Sequence, residues 1–523
     1  MTTSIKFNYS IFSQQHMENF QIANKHIDSV RFMHIFVSCV FTKKYFNLYN
    51  LMDMSIKELL LGVDIGTTSV KVCLVDVATK KVISLQKKDT AARITPDIPG
   101  GDLQDPSRIY YALHSCMNRL PKENLSKVRR ITFCGQMHGV TLWNKTSGWR
   151  RKCKNSSDQF EVGDVSPLYT WQDKRCDSQF LSTLPRPNSH LRVGSGYGCS
   201  TLIWLHQRNL LKRYDYCGTI MDFIIGMITE TENPSISLQN AASFGYCNTI
   251  TRQWNAEQLR EIKGFPLHFL PNISNEDQFL KNSWFDIPQG TPISPSLGDF
   301  QCSTLATIKN KKSAVLNLST SAQIAFIIQE SHFIPKDENE IIEYFPFFDN
   351  QYMAVAASLT GGNALAEFVH AVQCWVIDLG LSIPQSKIWD KLLTHGDNAC
   401  DEENPLQIRP TIFGERHNPE EKGQVSNVVP ANLNLGSITH GICRGIVQNM
   451  ASMMGTKDLK NAGIELIMGS GSALLRNEIL KKEIKLAYDI PVEFVEQGNA
   501  CYGAALRGIH LMGHPIHHNN EKL

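Results

Sequence analysis

The chain has 523 residues, with 52 Lys and Arg against 50 Asp and Glu, a formal net charge of +2. Length suggests two or three domains, each able to bury a core, while near-neutral charge excludes a dense basic face for nucleic acid or a membrane surface. No run approaches the roughly 18 apolar residues of a membrane helix, and fourteen cysteines never closer than 18 positions apart exclude CxxC redox sites and zinc ribbons.

Residues 1–55 contain no Gly or Pro and show no clean period. A transit peptide would be poor in acids, yet Glu18, Asp28 and Asp53 are present. The segment is expected to be an extension outside the fold, with Met52 and Met54 as alternative starts. Without a secretory signal, the cysteines are expected to be reduced thiols in a cytoplasmic protein.

From residue 59 the pattern sharpens. An apolar strand over 59–63 runs into Asp64, Gly66, Thr67, Thr68 and Ser69, a turn rich in Gly and hydroxyls, and 70–75 returns as a second strand. A third strand is predicted at 81–86. Asp105 and Pro106 are the N-cap and first residue of a helix whose stripe is Ile109, Ala112, Leu113, Cys116, Met117 and Leu120. Another strand, 130–134, leads into Gln136, Met137, His138 and Gly139. The second half repeats the theme, with strands at 314–318, 323–328 and 352–357 and a hydroxyl turn at Ser319, Thr320 and Ser321. Gly361 and Gly362 then open a helix over 364–379. A helix over 437–454, a strand over 465–468, the turn Gly469, Ser470, Gly471, Ser472, a further helix and a strand over 492–495 complete it. The fold class is therefore α/β, with two copies of one unit around a cleft. The organisation expected is an extension (1–55), a first lobe (56–290) and a second lobe (291–515).

Such Gly- and hydroxyl-rich hairpin turns offer backbone N–H groups to phosphate oxygens. Asp64 beside the first can hold Mg²⁺ through water, because Mg²⁺ dehydrates reluctantly. Gly66 to Lys71 lacks the second Gly of a Walker A loop, and 194–198 has the wrong spacing for a dinucleotide fingerprint. Asp299, at the start of a helix predicted over 300–308, reads either as a plain N-cap or as a general base for an attacking hydroxyl. Gln136, His138, Trp171 and Asp173 gather the polar and aromatic groups that polyol recognition needs. His510, His514, His517 and His518 read as a polar tail.

The chain resembles the FGGY carbohydrate kinases, which share a ribonuclease-H-like fold with actin and hexokinase. The resemblance spans about 59–513 and rests on GQMHG (135–139), TWQDKRC (170–176), QNAASFGY (239–246), LGDFQ (297–301), VLNLSTSAQ (315–323), AASLTGGNALAEFV (356–369), FGERHNP (413–419), CRGIVQN (443–449) and MGSGSALLRN (468–477). It implies transfer of a phosphoryl group from ATP, with Mg²⁺, to the terminal hydroxyl of a small ketose by a monomer or homodimer. By position it makes Asp299 the catalytic base and Asp64 the metal residue. Thr67, Thr68 and Ser69 become the first phosphate loop and Thr320 the second. Gly361, Gly362, Gly469, Ser470, Gly471, Ser472 and Asn477 would hold the nucleotide, and Gln136, Met137, His138 and Asp173 the sugar.

Overall fold

The alternation of the apolar strands fixes the layering, since odd and even residues of a strand face opposite sides. The computed structural model describes residues 57–152, 160–336, 341–398, 404–418, 420–496, 498–514, 517–518 and 521–522. All of the expected 1–55 extension lies outside them. The first sheet contains β1 (Leu59–Ile65), β2 (Ser69–Asp76), β3 (Val82–Asp89), β4 (Val128–Gly135), β5 (Gln278–Phe279), β6 (Pro292–Ile293) and β7 (Leu297–Gly298). Its order is β5-β6-β4-β1-β2-β3, with β7 also on β4. Strand β1 is antiparallel to β2 and parallel to β4. Leu59, Leu61, Val63 and Ile65 pack on α1 (Pro106–Asn118) and α2 (Ile220–Thr229), while Leu60 faces the other way, with Cys73 and Val75 of β2. Each fully buried leucine contributes about 2 kcal/mol of apolar transfer energy. The Asp105 side chain accepts from the Ser107 N–H and caps α1 as the sequence predicts.

The second sheet contains β8 (Ser313–Leu318), β9 (Ala322–Ile327), β10 (Ile342–Pro346), β11 (Tyr352–Ser358), β12 (Leu466–Ser470) and β13 (Val492–Phe494), in the order β10-β11-β9-β8-β12-β13. Again the first strand is antiparallel to the second and parallel to the strand after the crossover. The expected pair of ribonuclease-H-like lobes is thus present. Strand β10 was not predicted, because its half-buried residues carry no clean alternation. Strands β6 and β7, beyond position 291, complete the first sheet rather than the second.

Two helices lie between the sheets, α3 (Asp299–Thr307) and the C-terminal α8 (Ala500–Leu511). One buried cluster joins Cys134 and Leu297 of the first sheet, Cys302 and Leu305 of α3, Ala504 of α8, and Val315 and Met468 of the second sheet. Close approach needs small residues. A Cβ on Gly62 would sit 2.0 Å from the Cys501 carbonyl oxygen, and one on Gly503 would sit 1.8 Å from that of Cys302. Outside the second sheet pack α4 (Gly362–Asp378), α5 (Gln385–Asn398), α6 (Leu435–Met453) and α7 (Glu478–Ala487), the last two through Ile442, Ile446, Ile479 and Ile484.

Candidate functional site

The β1–β2 register places Asp64 directly opposite Lys71. Their side chains meet with Lys71 Nζ 3.4 Å from Asp64 Oδ2, whereas Asp64 Oδ1 is buried without a hydrogen-bond partner. Burial raises the Asp64 carboxyl and the Lys71 charge opposes it. In the β8–β9 hairpin the corresponding register pair is Asn317 opposite Gln323. All four residues line one cavity of about 430 Å³, with Gly66, Thr68 and Ser69 of the first turn. That turn is closed by the Gly66 N–H donating to the Ser69 carbonyl at 3.1 Å.

A second cavity of about 200 Å³ adjoins it, lined by Thr67, Gln136, Met137, His138, Trp171, Gln301, Glu343 and Arg416 among others. Asp299 and Phe300 line both cavities. Asp299 is the first residue of α3; its N-cap is Gly298, and the cap makes no side-chain hydrogen bond. The plain N-cap reading of Asp299 therefore fails. A Cβ on Gly298 would lie 2.2 Å from Gln301 Oε1 and 2.5 Å from Met137 Sδ, so any larger residue would displace these two side chains. Burial, and then the Asp64 charge, push the Asp299 carboxyl up to about 7, against the Phe300 N–H and Lys71. A carboxyl near 7 suits a base that must accept a proton at neutral pH.

The smaller cavity offers both hydrogen-bond roles. His138 has φ +70°, a left-handed conformation unusual for a side chain other than glycine. Its N–H donates to Ser243 Oγ at 3.1 Å, and its Nδ1 lies 2.8 Å from the Ser243 carbonyl. A carbonyl only accepts, so Nδ1 carries the proton and Nε2 is left as an acceptor. Burial and the nearby Arg416 charge hold His138 at about 3, keeping it neutral. Its ring stacks on Tyr197 at 4.4 Å. Gln136 Nε2 donates to Gln104 Oε1 at 3.1 Å, and Gln104 Nε2 donates to the Thr67 carbonyl at 2.8 Å, while Gln136 Oε1 and Gln301 Oε1 are buried without partners. Trp171 Nε1 donates to Thr67 Oγ1 at 3.0 Å, so Thr67 belongs to this cavity as much as to the phosphate turn.

Second-lobe turns converge behind the β8–β9 hairpin. The Gly362 N–H donates to the Ser319 carbonyl at 2.8 Å, the Asn363 N–H to that of Thr320 at 3.0 Å, and the Ser472 N–H to Ser319 Oγ at 3.2 Å. A Cβ on Gly361 would lie 2.6 Å from Ser321 backbone, and Gly471, at φ +106°, would place one 2.2 Å from the Leu318 carbonyl. Thr320 is exposed at the tip; Ser470 is buried, and Gly469 packs on Phe494. Nine expected residues line neither cavity: Thr320, Gly361, Gly362, Gly469, Ser470, Gly471 and Ser472 of these turns, and Asp173 and Asn477. Asp173 is fully buried, accepting from Arg175 Nε at 2.8 Å, Arg175 Nη2 at 3.0 Å and the Asp102 N–H at 2.9 Å. A carboxylate so engaged fixes the 170–176 loop instead of holding sugar. Asn477 caps α7, accepting from the Ile479 and Leu480 N–H groups.

Sequence reasoning left Lys71, Gln301, Glu343 and Arg416 without roles. Arg416 stood inside the FGERHNP segment and Gln301 inside LGDFQ, so both were within reach; Glu343 carried no local signal. Among the described residues no group of three or more His, Cys, Asp or Glu could hold a metal by itself, and no helix is long and apolar enough to cross a membrane.

Comparison with known proteins agrees with this geometry. The profile of the FGGY family of carbohydrate kinases, N-terminal domain, matches residues 59–306. The chain is similar to the sedoheptulokinase of Mus musculus, 41% identical over 468 residues, 87% of this chain and 98% of the relative. The Homo sapiens sedoheptulokinase matches at 41% over 470 residues, with the same shares of each chain. Among solved structures, xylulose kinase from Rhodospirillum rubrum superposes with a TM-score of 0.69 at 15% identity, covering 87% of this chain and 90% of that one.

Proposed function

Since the chain belongs to the FGGY family of carbohydrate kinases, we propose that it phosphorylates the terminal hydroxyl of sedoheptulose with ATP, giving sedoheptulose 7-phosphate. The observation that carries this reading is the position of Asp299 as the shared wall of two cavities. Triphosphate enters the cavity beneath the two hairpin turns, and the ketose enters the smaller one. The Asp299 carboxylate then accepts the proton of the terminal hydroxyl as its oxygen attacks the γ-phosphorus, and ADP leaves on the opposite side. An ATP-dependent switch of the same fold would need no acceptor cavity with unpartnered amide oxygens at its wall.

Asp64 fits the Mg²⁺ that accompanies ATP, because its buried Oδ1 lacks any protein donor and a carboxylate suits a hard cation. Bound there, Mg²⁺ would neutralise charge on the phosphoryl oxygens. Lys71 holds Asp64 in place and keeps a positive charge on the same cavity wall. The seven-carbon choice is supported by the two sedoheptulokinases at 41% identity. The product would enter the non-oxidative pentose phosphate pathway. Eleven described cysteines are all free thiols, which supports a reducing, cytoplasmic setting.

The test is a panel of five-, six- and seven-carbon ketoses assayed for ketose-dependent ADP release. The highest kcat/KM is expected for sedoheptulose. A higher value for xylulose would overturn the assignment in favour of a five-carbon kinase, and ATP turnover indifferent to ketose would overturn the kinase reading.

A further inference from the structure

One side chain of the smaller cavity comes from the second lobe on a loop built to hold it. Arg416 follows Glu415, whose buried carboxylate accepts from Ser358 Oγ at 2.6 Å, the Leu359 N–H at 2.8 Å and Asn449 Nδ2 at 2.8 Å. Glu415 thereby ties the loop to the end of β11 and to α6. Its backbone also closes on Asn418, by N–H to carbonyl bonds of 3.0 and 3.1 Å in the two directions. From this anchor Arg416 Nη1 reaches across the cleft to Tyr197 Oη of the first lobe at 3.3 Å. Tyr197 in turn stacks on His138.

Asp299 lies on the wall that the two cavities share, whereas Arg416, His138 and Glu343 line the smaller cavity alone. Arg416 therefore stands at the end of that cavity away from the shared wall. A guanidinium is donor-only, with a planar fork, whereas the His138 Nε2 and the Glu343 carboxylate accept. A sugar hydroxyl or ketone oxygen at that end needs a donor, and no other cationic side chain lines this cavity.

We infer that Arg416 is a specificity-determining residue, donating to the oxygens of the acceptor sugar farthest from the hydroxyl that is phosphorylated. A long ketose spans the distance from Asp299 to Arg416, and a short one leaves the fork without a ligand. Because Arg416 also grips Tyr197, the contact is complete only with the lobes apposed. The inference rests on the proposed kinase function and goes beyond it by assigning the ruler for chain length.

The experiment compares the full-length wild type with Arg416→Met and Arg416→Lys on the ketose panel. Arg416→Met is expected to lower kcat/KM for the longest accepted ketose by roughly 10- to 100-fold, mainly through KM, as loss of a charged hydrogen bond does. For the shortest ketose the loss should be under about threefold, so the ratio between the two collapses. Arg416→Lys keeps the charge without the fork and should fall between. Equal losses across chain lengths, or an unchanged ratio, overturn the inference while leaving the kinase reading intact. A fall in thermal stability or in ATP affinity matching the loss of activity would also overturn it, by making Arg416 structural. A wild type that turns over no ketose overturns the proposed function and this inference with it.

Discussion

At the scale of single residues, the raised Asp299 carboxyl makes two signed predictions. As the proposed base, Asp299 is competent only when ionised, so kcat/KM should fall with unit slope as pH drops through about 7. Asp299→Asn should abolish that limb and lower kcat by roughly 10²–10⁴, with little change in ATP affinity. A pH–rate profile of the wild type and a single-turnover assay of the variant check both. The stability effect has the opposite sense. A carboxyl whose folded pKa lies above its unfolded value of 3.8 binds its proton more tightly in the native state, so the native state loses stability as pH rises from about 4 to about 7. Asp299→Asn should therefore melt above the wild type at pH 8, and the gap should close towards pH 4. Asp64→Asn separates from these: it should raise the Mg²⁺ concentration needed for half-maximal rate, and added Mg²⁺ should restore part of the activity. An Asp64→Asn enzyme with unaltered Mg²⁺ dependence would remove the metal role from this residue.

At the scale of elements, the C-terminal helix α8 is the joint. It meets β1 at Gly62 and α3 at Gly503, both without room for a methyl group. Gly62→Ala should cost about 2–3 kcal/mol or more, because the clashing atom is backbone and cannot swing aside; urea unfolding would measure it, and a cost below about 1 kcal/mol would show that the helix can shift freely. The elements most legible in sequence were those with a strict period. Leu59 to Val63, the stripe of α1 and the hairpin of β8 and β9 could be read because their apolar residues are set by burial alone. What was illegible depends on which partner a side chain takes, near or far in sequence. Asp173 stood in a motif beside Trp171, yet Arg175, two residues on, takes its carboxylate. Asn477 looked like a nucleotide contact and is a helix cap. Strand β10 and Glu343 upon it are half-buried and show no pattern, so only the pairing with β11 reveals them. Asp299, by contrast, was legible as a carboxylate at a helix start, but not that both cavities share it.

At the scale of the whole molecule, the cavities are walled from both lobes, and the Arg416–Tyr197 contact spans them. Excluding water from the γ-phosphoryl group requires closure. Small-angle scattering with a saturating ketose and an unreactive ATP analogue should show a smaller radius of gyration than the free protein. An unchanged radius under saturation would mean that the free protein already has the closed form. The family profile begins at residue 59, beyond the 1–55 segment.

The two hairpins that roof the larger cavity are pseudo-symmetric copies whose chemistry has diverged at one register position: an acid paired with an amine in the first, two amides in the second. That broken symmetry gives a polyanion an inequivalent seat at each hairpin. Two acidic copies would set three carboxylates, with Asp299, around a triphosphate and repel it. Two amide copies would leave no anchor for a counter-ion. The shape thus occurs twice, and the different chemistry of the two copies gives the cleft its direction. Making the pair symmetric with Asn317→Asp would turn the proposed nucleotide seat into a crowded acidic cage.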